Sequence, residues 1–163
     1  MKLALLVLDP QNDFFEEDNP NIDGFRATVS VINRALQLFH ERGLPVIFIQ
    51  HTSLKKPVGS HAWEIYPPFA CQPDDIRLIK KHENAFWNSE LDATLIKQQV
   101  DSVIITGYLA EHCVLSTLRG ALERSYHGAV LEGAIASLDN RFTQFTLEIS
   151  PHLSIDELEA KIG

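Results

Sequence analysis

The order of hydrophobic patterns predicts an α/β fold: a three-layer α/β/α sandwich with a mainly parallel central sheet. Two observations carry that prediction. Short apolar runs alternate with helical periodicities along the whole chain, as parallel strands joined by right-handed crossovers require. The first run, Leu3-Ala4-Leu5-Leu6-Val7-Leu8, is continuously apolar rather than alternating, the pattern of a strand buried on both faces.

The elements follow in order. After the first strand, residues 25–41 place apolar side chains at 25, 29, 32, 36 and 39, a helical period. Gly43 is a suitable C′ stop for that helix. Residues 45–49 form the second strand. A loop spans 52–75, interrupted by Pro57, Gly59, Pro67, Pro68 and Pro73. Residues 76–79 are a third short strand, and 89–99 a helix with Ser89 as its N-cap and Asp92 three residues on. The β-branched run 103–106 is the fourth strand, 114–124 the next helix, and 129–131 the fifth strand. Residues 142–149 and 156–162 complete the chain as helices.

Bulk properties narrow the function. The chain has 163 residues, 45% of them hydrophobic, which suits one globular domain over 1–163 with a sizeable core. A net charge of −8 argues against nucleic acid and anionic membrane surfaces as partners. The first apolar run is too short to span a bilayer, and the N-terminus lacks the layout of a signal peptide. The two cysteines, Cys71 and Cys113, form no CxxC or metal motif. A cytoplasmic location is expected.

Ligands in parallel sheets bind beyond the carboxyl ends of the strands. That rule selects Asp9, Gln50 and His51, Lys80 and Lys81, and the segment Gly107-Tyr108-Leu109-Ala110-Glu111-His112-Cys113-Val114. Cys113 stands where a helix opens. The positive end of the helix dipole favours thiolate over thiol there, and the thiolate is the nucleophile. A buried structural cysteine is the plain alternative. Asp9 and Lys80, each at the end of an apolar strand, need partners if buried. A lysine beside a thiol holds its charge, and an aspartate accepts or returns a proton.

Three motifs resemble the isochorismatase-like cysteine hydrolases, the family that includes the nicotinamidases. Asp9-Pro10-Gln11-Asn12-Asp13-Phe14 resembles the opening Asp-x-Gln-x-x-Phe motif. The run from Asp75 to Phe86 resembles the lysine motif, and Gly107 to Val114 followed by Ser116-Thr117 resembles the cysteine motif. They occur in family order and span nearly the whole chain. The resemblance implies an isochorismatase-like, Rossmann-like fold and a catalytic triad of Asp9, Lys80 and Cys113. It also implies an oxyanion hole from the backbone N–H groups of Leu109 and Cys113, and a cis peptide at Tyr108–Leu109. Lys81 competes for the lysine role, and the spacing to Ala85-Phe86 favours Lys80.

Several departures shape the expected chemistry. Nicotinamidases carry an Asp-x-His metal site after the second strand. Here that run reads Ile49-Gln50-His51-Thr52-Ser53, the aspartate is missing, and the next histidine is His61. No metal and no cofactor are expected. Ala110-Glu111 replaces the common Thr-Asp, and Glu132-Gly133-Ala134 follows the fifth strand where Asp-Ala is usual. His112 is expected to point away from Cys113. Phe14, His51, Trp63, Trp87 and Tyr108 are candidates for the substrate pocket. The reading is a cysteine-dependent hydrolase of a small amide or imide C–N bond, acting through a thioester. A redox sensor or a small-molecule-binding protein on the same fold is the alternative. The resemblance further implies a homo-oligomer, a dimer or larger, for which the apolar helix positions Leu115, Leu118 and Leu122 are candidates.

Overall fold

The computed structural model describes all residues 1–163. Six strands form one parallel sheet: β1 (Leu3–Leu8), β2 (Val46–His51), β3 (Ile76–Lys80), β4 (Ser102–Tyr108), β5 (His127–Ala136) and β6 (His152–Leu153). Their order is β3-β2-β1-β4-β5-β6. The helices are α1 (Ile22–Glu41), α2 (Leu91–Lys97), α3 (Leu115–Glu123), α4 (Asn140–Glu148) and α5 (Ile155–Ile162).

The continuous apolar run of β1 has a simple cause. Alternate side chains point to opposite faces, and both faces are covered. Ala4, Leu6 and Leu8 pack with Leu91 and Leu95 of α2 and Leu118 and Ala121 of α3. Leu3, Leu5 and Val7 pack with Phe25, Ile32, Leu36 and Phe39 of α1 and Leu158 of α5. The sheet is therefore the middle of three layers. Leu118 lies within this core, while Leu115 is half-buried and Leu122 exposed.

Most boundaries follow local chemistry. Gly43 has φ +60° and its N–H donates to His40 O at 3.1 Å, ending α1 in the left-handed conformation that glycine favours. Helix α1 starts at Ile22, before the apolar period begins at Phe25, because none of its first three residues is buried to mark it. Helix α2 is shorter than its sequence pattern and begins at Leu91. Ser89 Oγ still accepts the Leu91 N–H, at 3.2 Å, while donating to Ala85 O. Strand β5 runs well beyond 129–131. Its pairing with β4 shifts register between Ile105 and Gly107. Strand β6 has two residues, too few to leave a periodic signal.

The sheet order reverses between β1 and β4, which places a crevice at their carboxyl ends. Gly107 lets the two strands close there. Its φ is +107°, and a Cβ at this position would lie 2.0 Å from Leu8 O.

No helix is long and apolar enough to cross a membrane.

Candidate active site

Three elements deliver three side chains to that crevice. Asp9 follows β1 with φ +51°, a left-handed conformation that aspartate tolerates better than most residues. Its N–H donates to Ile49 O at 2.9 Å, and its carbonyl accepts from Gln11 N at 2.8 Å. Lys80 ends β3. Strand alternation turns Lys80 inward and leaves Lys81 exposed. Cys113 sits in a π-helical turn, Ala110–Val114, that runs directly into α3. The turn is entered through a cis peptide at Tyr108–Leu109.

The three groups touch one another. Lys80 Nζ lies 3.1 Å from Asp9 Oδ1 and 3.1 Å from Cys113 Sγ. Cys113 Sγ donates to Asp9 Oδ2 at 3.3 Å. Nζ also donates to His82 O at 3.0 Å and lies 3.2 Å from His51 Nδ1. All three side chains are buried.

Burial changes the expected ionisation of the thiol. Desolvation, followed by the charge of Asp9, pushes Cys113 up to about 12, against the opposing pull of Lys80. The helix-terminus effect expected from sequence is thus outweighed. Loss of the thiol proton to solvent would leave two anions beside one ammonium in a dry site. Transfer of that proton to Asp9 leaves the cluster neutral overall. For Lys80, burial works against the ammonium, but Asp9 and Cys113 outweigh it and the pKa is raised. The resting cluster is carboxylate, ammonium and thiol.

Beside it lies a cavity of about 230 Å³, lined by Asp9, Phe14, His51, Lys56, Glu83, Leu109, His112 and Cys113. The Leu109 N–H has no acceptor within the protein.

The candidate pocket residues divide. Phe14 and His51 line the cavity. Tyr108 does not: it is buried beneath, its ring tilted 34° against Phe25 with centroids 4.6 Å apart, and its hydroxyl meets Thr28. Trp63 serves the loop through its carbonyl, which accepts from Gln11 Nε2 at 2.8 Å and Gln50 Nε2 at 3.0 Å. Trp87 is exposed and lies outside the cavity lining.

Other residues carry the site without having been singled out. The Gln11 side chain is fully buried. Its Nε2 donates to His51 O at 2.9 Å and its Oε1 accepts the His51 N–H at 2.9 Å. It thereby ties the ends of β1 and β2 to the 52–75 loop. Lys56 Nζ pairs with Asp13 Oδ2 at 2.7 Å and stands 5.2 Å from the centre of the Phe14 ring. His112 faces the cavity mouth rather than away from it, with Nδ1 3.0 Å from Glu83 Oε1. A π turn is wider than an α turn, and this one carries His112 onto the same cavity as Cys113. Gln11, Glu83 and His112 lie within the three motifs, though His112 was expected to point away from Cys113, and Lys56 comes from a loop with no periodic pattern.

No group of three or more His, Cys, Asp or Glu side chains has metal-binding geometry. Cys71 is free, its sulfur accepting from Arg77 Nη2 at 3.4 Å.

Comparison with known proteins fits this arrangement. The family model "Isochorismatase domain" matches residues 3–150. The chain is 34% identical to the ureidoacrylate amidohydrolase RutB of Caulobacter segnis, over 86% of this chain and 75% of that protein. An isochorismatase-like hydrolase from Alkaliphilus metalliredigens superimposes with a TM-score of 0.91 at 23% identity, covering 100% of both chains. N-carbamoylsarcosine amidase from Thermoplasma acidophilum superimposes with a TM-score of 0.82 at 24% identity, over 96% of this chain and 98% of that one. These two share the fold. The chain belongs to the isochorismatase family of hydrolases.

Proposed function

We propose that this protein hydrolyses a C–N bond of a small amide or ureido compound, with Cys113 as nucleophile. The observation that carries the reading is the contact of one thiol with both a carboxylate and an ammonium inside a cavity. The relative that acts on ureidoacrylate supports the substrate class.

The contacts support the following steps. Sγ attacks the substrate carbonyl carbon as its proton passes to Asp9 across 3.3 Å. The resulting oxyanion is received by the backbone N–H groups of Leu109 and Cys113. Lys80 stays protonated and holds the sulfur while its charge develops. The C–N bond then breaks, and Asp9 returns its proton to the leaving nitrogen. Water adds to the thioester with Asp9 accepting its proton. The C–S bond breaks, the acid product leaves, and the sulfur regains the proton. No step changes the charge of the buried cluster except through the oxyanion, which the hole receives.

This geometry favours hydrolysis over redox sensing. A sensor cysteine is an exposed thiolate, whereas Cys113 is 7% exposed and held as a thiol.

The test is a screen of ureidoacrylate, N-carbamoylglycine and simple primary amides, with acid-quenched mass spectrometry of the protein. A substrate-dependent acyl adduct on Cys113 is expected. Full turnover by Cys113→Ala would overturn the reading.

A further inference from the structure

The Lys80 ammonium offers three protons and no lone pair. Four groups stand within 3.2 Å of Nζ and share those protons; because Nζ can only donate, His51 Nδ1, 3.2 Å away, faces it as an acceptor. An imidazole that accepts at Nδ1 carries its proton at Nε2. The rest of His51 is fixed as well. Its backbone N–H and C=O are both held by the Gln11 side chain, and it pairs in register with Lys80 across β2 and β3. His51 lines the cavity beside Cys113, and its Nε2 is neither buried nor bonded to any protein group.

We propose that His51 is a two-sided positioning residue, gripping the Lys80 ammonium through Nδ1 and presenting Nε2–H to the cavity as a donor for an acceptor oxygen of the substrate. The oxygen would be a carbonyl or carboxylate of a small amide or ureido acid. The substrate half rests on the function proposed above. The Lys80 half stands without it.

The charges around the ring favour its neutral form. Burial and the Lys80 ammonium of β3 hold His51 below the ordinary histidine value, with Lys56 of the loop acting the same way. Asp9 at the end of β1 and Asp13 after it pull in the opposite direction and do not prevail. A neutral donor at Nε2 accepts no proton from the thiol and leaves that role to Asp9.

The test has two arms. The first needs no substrate. Long-range ¹H–¹⁵N spectra of the intact protein, with His51 assigned through His51→Asn, should show the Nε2–H tautomer at neutral pH. Titration should fall below the ordinary histidine value of about 6.5 and move back toward it in Lys80→Met. An Nδ1–H tautomer in the parent would overturn the grip on Lys80, whether or not the variant folds. The second arm uses N-carbamoylglycine or ureidoacrylate, whichever the enzyme hydrolyses. Asn reaches the Nδ1 position and Gln the Nε2 position. His51→Asn should raise KM about tenfold, the loss of one hydrogen bond, with kcat nearly kept. His51→Gln should hold KM near the parent value. Equal KM in parent and His51→Asn would overturn the donor half. Failure of both compounds as substrates would count against the proposed function and leave the first arm to decide the Lys80 half.

Discussion

Cys113 Sγ donates to Asp9 Oδ2 at 3.3 Å while Lys80 Nζ stands 3.1 Å from the same sulfur. The contact joins the end of β1 to the turn after β4, at the point where the sheet order reverses. A proton can cross between these two residues without changing the charge of a buried site. That exchange is the centre of the proposed mechanism.

Removal of the sulfur should stop turnover without unfolding the chain. Cys113 is one small side chain in a large core, so Cys113→Ala should cost at most about 1–2 kcal/mol of stability. It should reduce kcat by at least about 1,000-fold, because the nucleophile has no substitute. Thermal unfolding and a turnover assay on the same sample check both statements.

Loss of Lys80 should act on the thiol in one direction. Lys80 opposes the rise caused by burial and Asp9. Lys80→Met therefore moves the Cys113 titration further up, and alkylation at pH 8 becomes slower than in the parent. The rate of iodoacetamide labelling, resolved from Cys71 by mass spectrometry, measures this. Faster labelling would contradict it.

Gln11 should matter for stability beyond its single side chain. Gln11→Leu strips partners from the His51 N–H and the His51 carbonyl and leaves the Trp63 carbonyl with Gln50 Nε2 alone. Each buried orphan costs about 1–3 kcal/mol, so a loss of about 3 kcal/mol or more is expected in denaturant unfolding. Limited proteolysis should then cut within 52–75 before the rest of the chain.

Gly107→Ala should be among the most damaging single-methyl changes. The added Cβ would meet Leu8 O at 2.0 Å in a backbone at φ +107°. Neither strand can retreat without breaking the β1–β4 ladder, which pairs Leu8 with Gly107. A loss of at least about 3 kcal/mol, or failure to fold, is expected.

Sequence patterning reached the fold, strand-end position nominated Asp9, Lys80 and the segment before Cys113, and the family resemblance joined the three. Uninterrupted apolar runs such as 3–8 and 103–106 declare strands covered on both faces. A charged residue at the end of such a run, as with Asp9 after 3–8, stands out against its background. The thiol's ionisation was not legible, because helix-terminus position is local while burial depends on what β1 and β3 bring to the site. The pocket wall was not legible either. Trp63, Trp87 and Tyr108 are large and conspicuous, yet Trp63 and Tyr108 are placed by loop and core packing and Trp87 is left at the surface. Lys56 and Glu83 reach the cavity from irregular segments, where no period predicts direction, and His112 reaches it because its turn is π rather than α.

The most direct test is Asp9→Asn, read in two ways on one preparation. The amide takes away the negative charge that helps push the thiol up to about 12, and it cannot receive the thiol's proton. The ionisation of Cys113, followed by pH-dependent alkylation, should therefore move downward, while hydrolysis falls by at least about 1,000-fold. A more reactive sulfur in a less active enzyme is the outcome that a shared proton requires. Hydrolysis retained in Asp9→Asn, or a thiol that titrates higher than in the parent, would contradict the account.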